Sequence, residues 1–188
     1  GDSHTSTNGA LGALGSHYID CMRNWFGEIT SVSGAVFAQN TAAEPLPDAN
    51  NGFQFLVGFE NGAWGSMNCS FVAPYGSGGM IEIHGTEGSL STPQLGGNPA
   101  PDGIVMGARK GIDDKIAQLE IPERYHPFDD DRDQRLMAFR ILANRFVKGI
   151  ETGTSPAPNL FDAFRCQQII DAIQESTITG TRIQIPAE

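Results

Sequence analysis

The spacing of apolar and polar positions divides the chain into a leading helix, a run of strands, two further helices and a short closing strand. From Gly9 to Gly27, GALGALGSHYIDCMRNWFG, apolar residues recur at helical intervals, and Leu11, Leu14, Tyr18, Cys21, Met22 and Trp25 form the expected buried stripe. Asn8 stands where a side-chain oxygen can cap that helix, and Gly27 where a left-handed residue can end it. Gly12 and Gly15 each weaken the helix by about 0.5 to 1 kcal/mol relative to Ala. Their presence predicts close approach by another backbone or by a bound ligand.

The period then falls to two. Ile29 to Ala38 is β-rich, and Phe53, Phe55, Val57 and Phe59 alternate with Gln54, Leu56 and Gly58. Asn61-Gly62 predicts a type I′ hairpin, and the return strand Ala63 to Ala73 follows it. That strand shows Trp64, Ser66, Asn68 and Ser70 on a semi-polar face, with Met67, Cys69 and Phe71 on the other. A glycine-rich bend from Tyr75 to Gly79 leads to strands at Met80 to His84 and Ser89 to Thr92, joined by the turn Gly85 to Gly88. Pro93 to Asp114 reads as a long excursion with one short strand at Gly103 to Met106, and Lys115 to Ile121 returns to the sheet.

Two helices come next. Leu136, Phe139, Leu142, Ala143, Phe146, Val147 and Ile150 form an apolar stripe behind the helix-initiating acids Asp129, Asp130, Asp131 and Asp133. Asn159 with Asp162 has the form of a capping box, Ala163, Cys166, Ile169, Ile170 and Ile173 point inward, Gly180 ends the helix, and Thr181 to Ile185 is a terminal strand. The expectation is an α+β fold, an open and predominantly antiparallel β-sheet with helices packed on one face, in a single domain over 1–188.

A net charge of −10 argues against nucleic acid or an anionic membrane surface as a partner, because either needs clustered Lys and Arg. A neutral or weakly polar small molecule fits better. The three cysteines, Cys21, Cys69 and Cys166, lack CxxC spacing and read as reduced core thiols of a cytoplasmic protein. No apolar run approaches about 18 residues, and no basic leader precedes one.

Three blocks resemble one family: GALGALGSHYIDCMRNWFG, then FENGAWGSMNCSF with IEIHGTEGSL, and the tail from FRILANRF to TGTRIQIP. Together they are similar to the C-terminal substrate and assembly domain of the Gfo/Idh/MocA sugar oxidoreductases, whose nucleotide-binding half has no counterpart in this sequence. The resemblance implies a parent enzyme that uses NAD(P) on a hydroxyl or carbonyl of a sugar, cyclitol or polyol, with no cofactor bound by this chain alone. It also implies a homo-oligomer joined through the semi-polar sheet face. In the family, a Lys of the nucleotide-binding half and a D-x-x-x-H pair on this helix surround the reacting carbinol. The positions that match the pair are Ala13 and His17, so the His carries over and the Asp does not. On a helix the two positions share a face, where a carboxylate at 13 would orient His17. His17 is the expected general base, taking the hydroxyl proton as hydride leaves carbon.

Asp20, one turn on from His17, is a second substrate candidate, although its spacing also suits a structural bond to a neighbouring loop. Tyr125 and His126, in Arg124-Tyr125-His126-Pro127, are candidates for a loop that covers a sugar. No metal site is expected, since His17, Asp20 and His126 lack ligand spacing, and the Asp129 run puts Gln134 where a calcium loop needs Gly. There is no G-x-G-x-x-G, no Walker-type loop, and no G-x-S-x-G to make Ser16, His17 and Asp20 a hydrolase triad. A non-catalytic binding or oligomerisation module is the rival reading, supported by Ala13, and a hydrolase or lyase on the same scaffold is a third.

Overall fold

A computed structural model of the protein describes residues 9–39, 49–76, 78–94, 104–125 and 135–186. The chain divides into two compact units, one formed by Gly1–Pro74 with Pro156–Glu188 and the other by Tyr75–Ser155.

The first unit opens on a π turn, Leu11–Gly15, that runs directly into helix α1, Ser16–Phe26. Strands β1, Ile29–Phe37, β2, Gly52–Phe59, and β3, Trp64–Ser70, follow, and after the excursion into the second unit come helix α3, Leu160–Thr179, and strand β8, Ile183–Gln184. The strands form one antiparallel sheet in the order β3-β2-β1-β8. Alternation places Phe53, Phe55, Val57 and Phe59 on a single face, where Ile29, Val32, Ile169, Ile173 and Ile19 bury them. Helices α1 and α3 cover that face, and the expected α+β class with helices on one side holds. The opposite face stays open, with Trp64 79% exposed beside Leu56, Gln54, Ser66 and Asn68.

Strand β8 pairs with β1 at Ser31 and Val32, and Ile185 N just beyond it donates to Thr30 O at 2.8 Å. Past Val32 helix α3 supplies the partners: Gly34 N donates to Ser176 Oγ at 3.0 Å, and Val36 N donates to Thr177 Oγ1 at 3.0 Å. A strand edge that would otherwise bury unpaired N–H groups is thereby closed by hydroxyls. The arrangement needs a glycine, since a Cβ at Gly34 would lie 2.9 Å from Phe55 Cβ and 3.1 Å from Ile173 Cγ2.

Three expectations need revision in this unit. The buried stripe of the first helix is Leu11, Gly15, Ile19 and Arg23, while Trp25 is exposed, because the close four-residue repeat faces the sheet and Arg23 finds acidic partners inside. The hairpin between β2 and β3 is not type I′. Gly62 has φ +85° whereas Asn61 does not adopt positive φ, Gly62 N donates to Phe59 O at 3.1 Å, and Phe59 N donates to Ala63 O at 2.9 Å. These mark a three-residue loop closed by a glycine. Ala163 is exposed rather than inward.

The second unit holds strands β4, Gly79–Gly85, β5, Gly88–Gln94, β6, Met106–Arg109, and β7, Ala117–Gln118, in an antiparallel sheet of that order, with a 3-10 turn at Glu123–Tyr125 and helix α2, Arg135–Thr152. The strands expected in one open sheet thus fall into two. The change comes at the glycine-rich bend, where Tyr75 has φ +59°. The stripe of α2 is exposed at Phe139, Phe146, Val147 and Ile150, and Gly149 is the position it buries. Asn8 and Asp129 to Asp133 lie outside the described residues.

Gly34→Ala should lower stability by about 1 to 3 kcal/mol, the range for forcing a methyl into a packed core. Urea unfolding against wild type measures it.

Candidate functional site

The π turn shapes the site first. Ser16 N donates to Leu11 O, one residue beyond the α-helical partner, so the register advances before α1 begins. The positions that then face a common cleft are Gly12, Ser16, His17 and Asp20. Ala13 is exposed and does not line it. The wall therefore meets positions 12 and 17, five apart, rather than 13 and 17.

Asn50 fixes the start of this segment from across the chain. Its Oδ1 accepts from Leu11 N at 2.9 Å and its backbone carbonyl from Ala10 N at 2.8 Å, satisfying two of the N–H groups that a helix start leaves unpaired. Gly9 leaves room for it, since a Cβ there would collide with the Asn50 amide.

The facing wall is α3. The predicted capping box is present: Phe161 N donates to Asn159 Oδ1 and Asn159 N to Asp162 Oδ2, both at 2.8 Å. Asp162, Cys166, Gln167, Ile170, Asp171 and Gln174 follow as one stripe along the cleft. The thiol of Cys166 donates to Ser16 O at 3.6 Å, bringing the start of α1 to the second turn of α3. The cleft between them holds about 540 Å³.

An ion network underlies the acidic end. Arg23, with a side chain only 5% exposed, makes a bidentate pair with Glu28, from Nη2 at 2.7 Å and Nε at 3.2 Å. The same guanidinium reaches Asp162 Oδ1 at 3.4 Å and Asp20 Oδ1 at 3.5 Å, both carboxylates of the cleft. Arg165, also buried, donates to Glu28 Oε2 at 3.1 Å and to Pro186 O at 3.1 Å. The Arg23 hydrogen bond holds the Glu28 carboxyl below its ordinary value of 4.5, against the opposing effect of burial and with help from Arg165. Burial, aided by the charge of Asp20, pushes the Cys166 thiol up to about 11, which keeps it neutral and a poor nucleophile.

The structure thus brings His17 and Asp20 together on one wall, His17 exposed and Asp20 half-buried. Tyr125 belongs to the second unit, exposed on its 3-10 turn with the Arg124 guanidinium 4.8 Å from the ring centroid. His126 lies outside the described residues. His84 faces outward, paired with Ser89 Oγ at 3.0 Å. Asn50, Gln167, Asp171 and Gln174 were not anticipated. The helical repeat of the last three, starting from the capping Asp162, was the available signal; Asn50 had none, being 39 residues from its partner.

Residues 1–185 match the profile of the C-terminal alpha/beta domain of the Gfo/Idh/MocA oxidoreductase family. A levoglucosan dehydrogenase of Pseudarthrobacter phenanthrenivorans is 26% identical over 211 residues, covering 95% of this chain and 52% of the relative. An uncharacterised oxidoreductase of Synechocystis is 27% identical over 180 residues, covering 89% of this chain and 47% of its own. The chain spans about half the length of these curated relatives. Among solved structures, a levoglucosan dehydrogenase in complex with NADH and levoglucosan superposes with TM-score 0.78 at 24% identity over 98% of this chain and 54% of that one. An aldose-aldose oxidoreductase of Caulobacter crescentus gives 0.71 at 16% identity, over 94% and 48%. At those identities the structural likeness establishes the fold.

The depressed Glu28 carboxyl stabilises the fold above its ordinary value of 4.5, and that contribution is lost as pH falls through the lower folded value. Glu28→Gln should therefore be less stable than wild type at pH 7. The gap should close on acidification below pH about 4.5, as followed by urea unfolding across pH.

Proposed function

Because the chain belongs to the Gfo/Idh/MocA oxidoreductase family through that family's C-terminal alpha/beta domain, we propose that it forms the substrate-binding part of an NAD(P)-dependent dehydrogenase acting on a sugar, cyclitol or related polyol. The observation that carries this reading is the cleft itself, where exposed His17 stands on one wall with the half-buried carboxylate of Asp20, a pair suited to a sugar hydroxyl. Levoglucosan dehydrogenase, with its bound NADH and anhydrosugar, supports the substrate class by analogy.

The cofactor is assigned here to another part of the enzyme, a reading supported by a sequence without a G-x-G-x-x-G fingerprint. NAD(P) would supply the hydride acceptor. This chain's contribution is then to bind and orient the polyol and to move one proton: His17 accepts it from the reacting hydroxyl as the C–H electron pair departs and the carbonyl forms. Asp20, steadied by Arg23, accepts a hydrogen bond from a neighbouring hydroxyl. The three free thiols fit a reducing compartment.

One observation favours the second reading, a non-catalytic binding module. Ala13 stands where the family places its Asp, and it leaves His17 without that partner. In the natural protein assayed with NAD(P) and polyols, His17→Ala should lower kcat by about 10²-fold or more with the fold intact. An unchanged rate at every pH would remove His17 from the mechanism and favour the module.

The open face of the first sheet, with Leu56 exposed on β2 and Trp64 exposed at the start of the edge strand β3, supports self-association of this domain about a two-fold axis. Light scattering at micromolar concentration should show a dimer that Trp64→Asp dissociates. A monomer in wild type would end the idea.

A further inference from the structure

The cleft is longer than a single sugar requires. On α3 its lining runs from Asp162 to Gln174, about 18 Å at the helical rise of 1.5 Å per residue. On the other wall it runs from Asp20 back through His17 and Ser16 to Gly12. The contacts of Arg23 with Asp162 and of Cys166 with Ser16 set the two walls antiparallel. One end therefore holds Asp20 and Asp162, and the other holds Gln174 with Asn50, which binds the start of the leading helix. His17 stands between them.

The far end is polar: Gln167 Nε2 donates to Asp171 Oδ1 at 2.8 Å on the exposed face of α3, and Asn50 Oδ1 accepts from Leu11 N, which sets the direction of the Asn50 amide group.

We propose that Asn50, Asp171 and Gln174 form a second sugar subsite, so that the ligand of this cleft is a glycoside or disaccharide with one ring beside His17 and Asp20 and the next against these three residues. The inference rests on the polyol reading above and deepens it. The hydroxyls of the second ring would meet an amide donor at Asn50, a carboxylate acceptor at Asp171 and an amide of both kinds at Gln174. None of the three carries positive charge, which suits a neutral glycan.

Calorimetric titration of the full 188-residue chain provides the test, with glucose, levoglucosan and sorbose as single-ring probes and maltose, cellobiose and sucrose as two-ring probes. At least one two-ring probe should bind about tenfold or more tighter than any single-ring probe, the gain expected from two or three added hydrogen bonds. The pair Asp171→Asn and Gln174→Ala should erase that gain while leaving single-ring affinity unchanged. Asp20→Asn should weaken both classes alike, and a thermal melt of each variant confirms its fold. Single-ring and two-ring probes of equal affinity, or equal losses for both in the Asp171 and Gln174 variants, overturn the second subsite while leaving the polyol reading in place. Binding of no sugar of either length by the folded chain overturns both.

Discussion

Two guanidiniums sharing one carboxylate hold the first unit together. Glu28 sits at the junction between α1 and β1, Arg23 reaches it from α1, and Arg165 reaches it from α3. A buried charge without a partner is far costlier than a neutral core residue, so the three elements are obliged to meet at this point. Among the described residues no buried side-chain polar atom is left without a partner, as such a core requires. The cleft follows from it, because the same Arg23 also reaches Asp20 on one wall and Asp162 on the other.

Helix α3 therefore serves three structures at once. Its N-terminal turn completes the ion network, its middle covers the phenylalanines of β2, and its C-terminal hydroxyls stand in for a strand beside β1. That division of labour explains its composition. Ser176 and Thr177 are poor helix formers, yet each occupies a position where a hydroxyl reaches a strand N–H.

Features set by neighbours in sequence were legible. The alternation in β2, the capping box at Asn159 and the glycine stop at Gly180 all depend on residues a few positions apart, and each is found. Features set by distant partners were not. Asp20 and Glu28 stand near Arg23 in sequence, but its burial depends on helix α3 bringing Asp162 and Arg165 to the same point, 139 and 142 positions away. The contacts around the π turn are also distant ones, since Asn50 binds Leu11 N from 39 residues away and Phe53 packs at Gly15. For the site, His17 and Asp20 were readable as a pair on one helix face. The α3 side of the cleft was hidden because its residues look like an ordinary solvated stripe until α1 is laid beside them.

The tip of the β2-β3 hairpin is anchored as well as turned. Asn61 Nδ2 donates to Phe26 O at 2.9 Å, Glu60 N donates to Glu28 O at 3.0 Å, and the Phe59 ring lies 5.5 Å from that of Phe26. A side-chain period of two means that sliding β2 by a single residue would turn its phenylalanines to solvent. The last turn of α1 thus acts as a gauge block for the sheet: with the hairpin tip seated on it, only one alignment of the strands reaches the helix end.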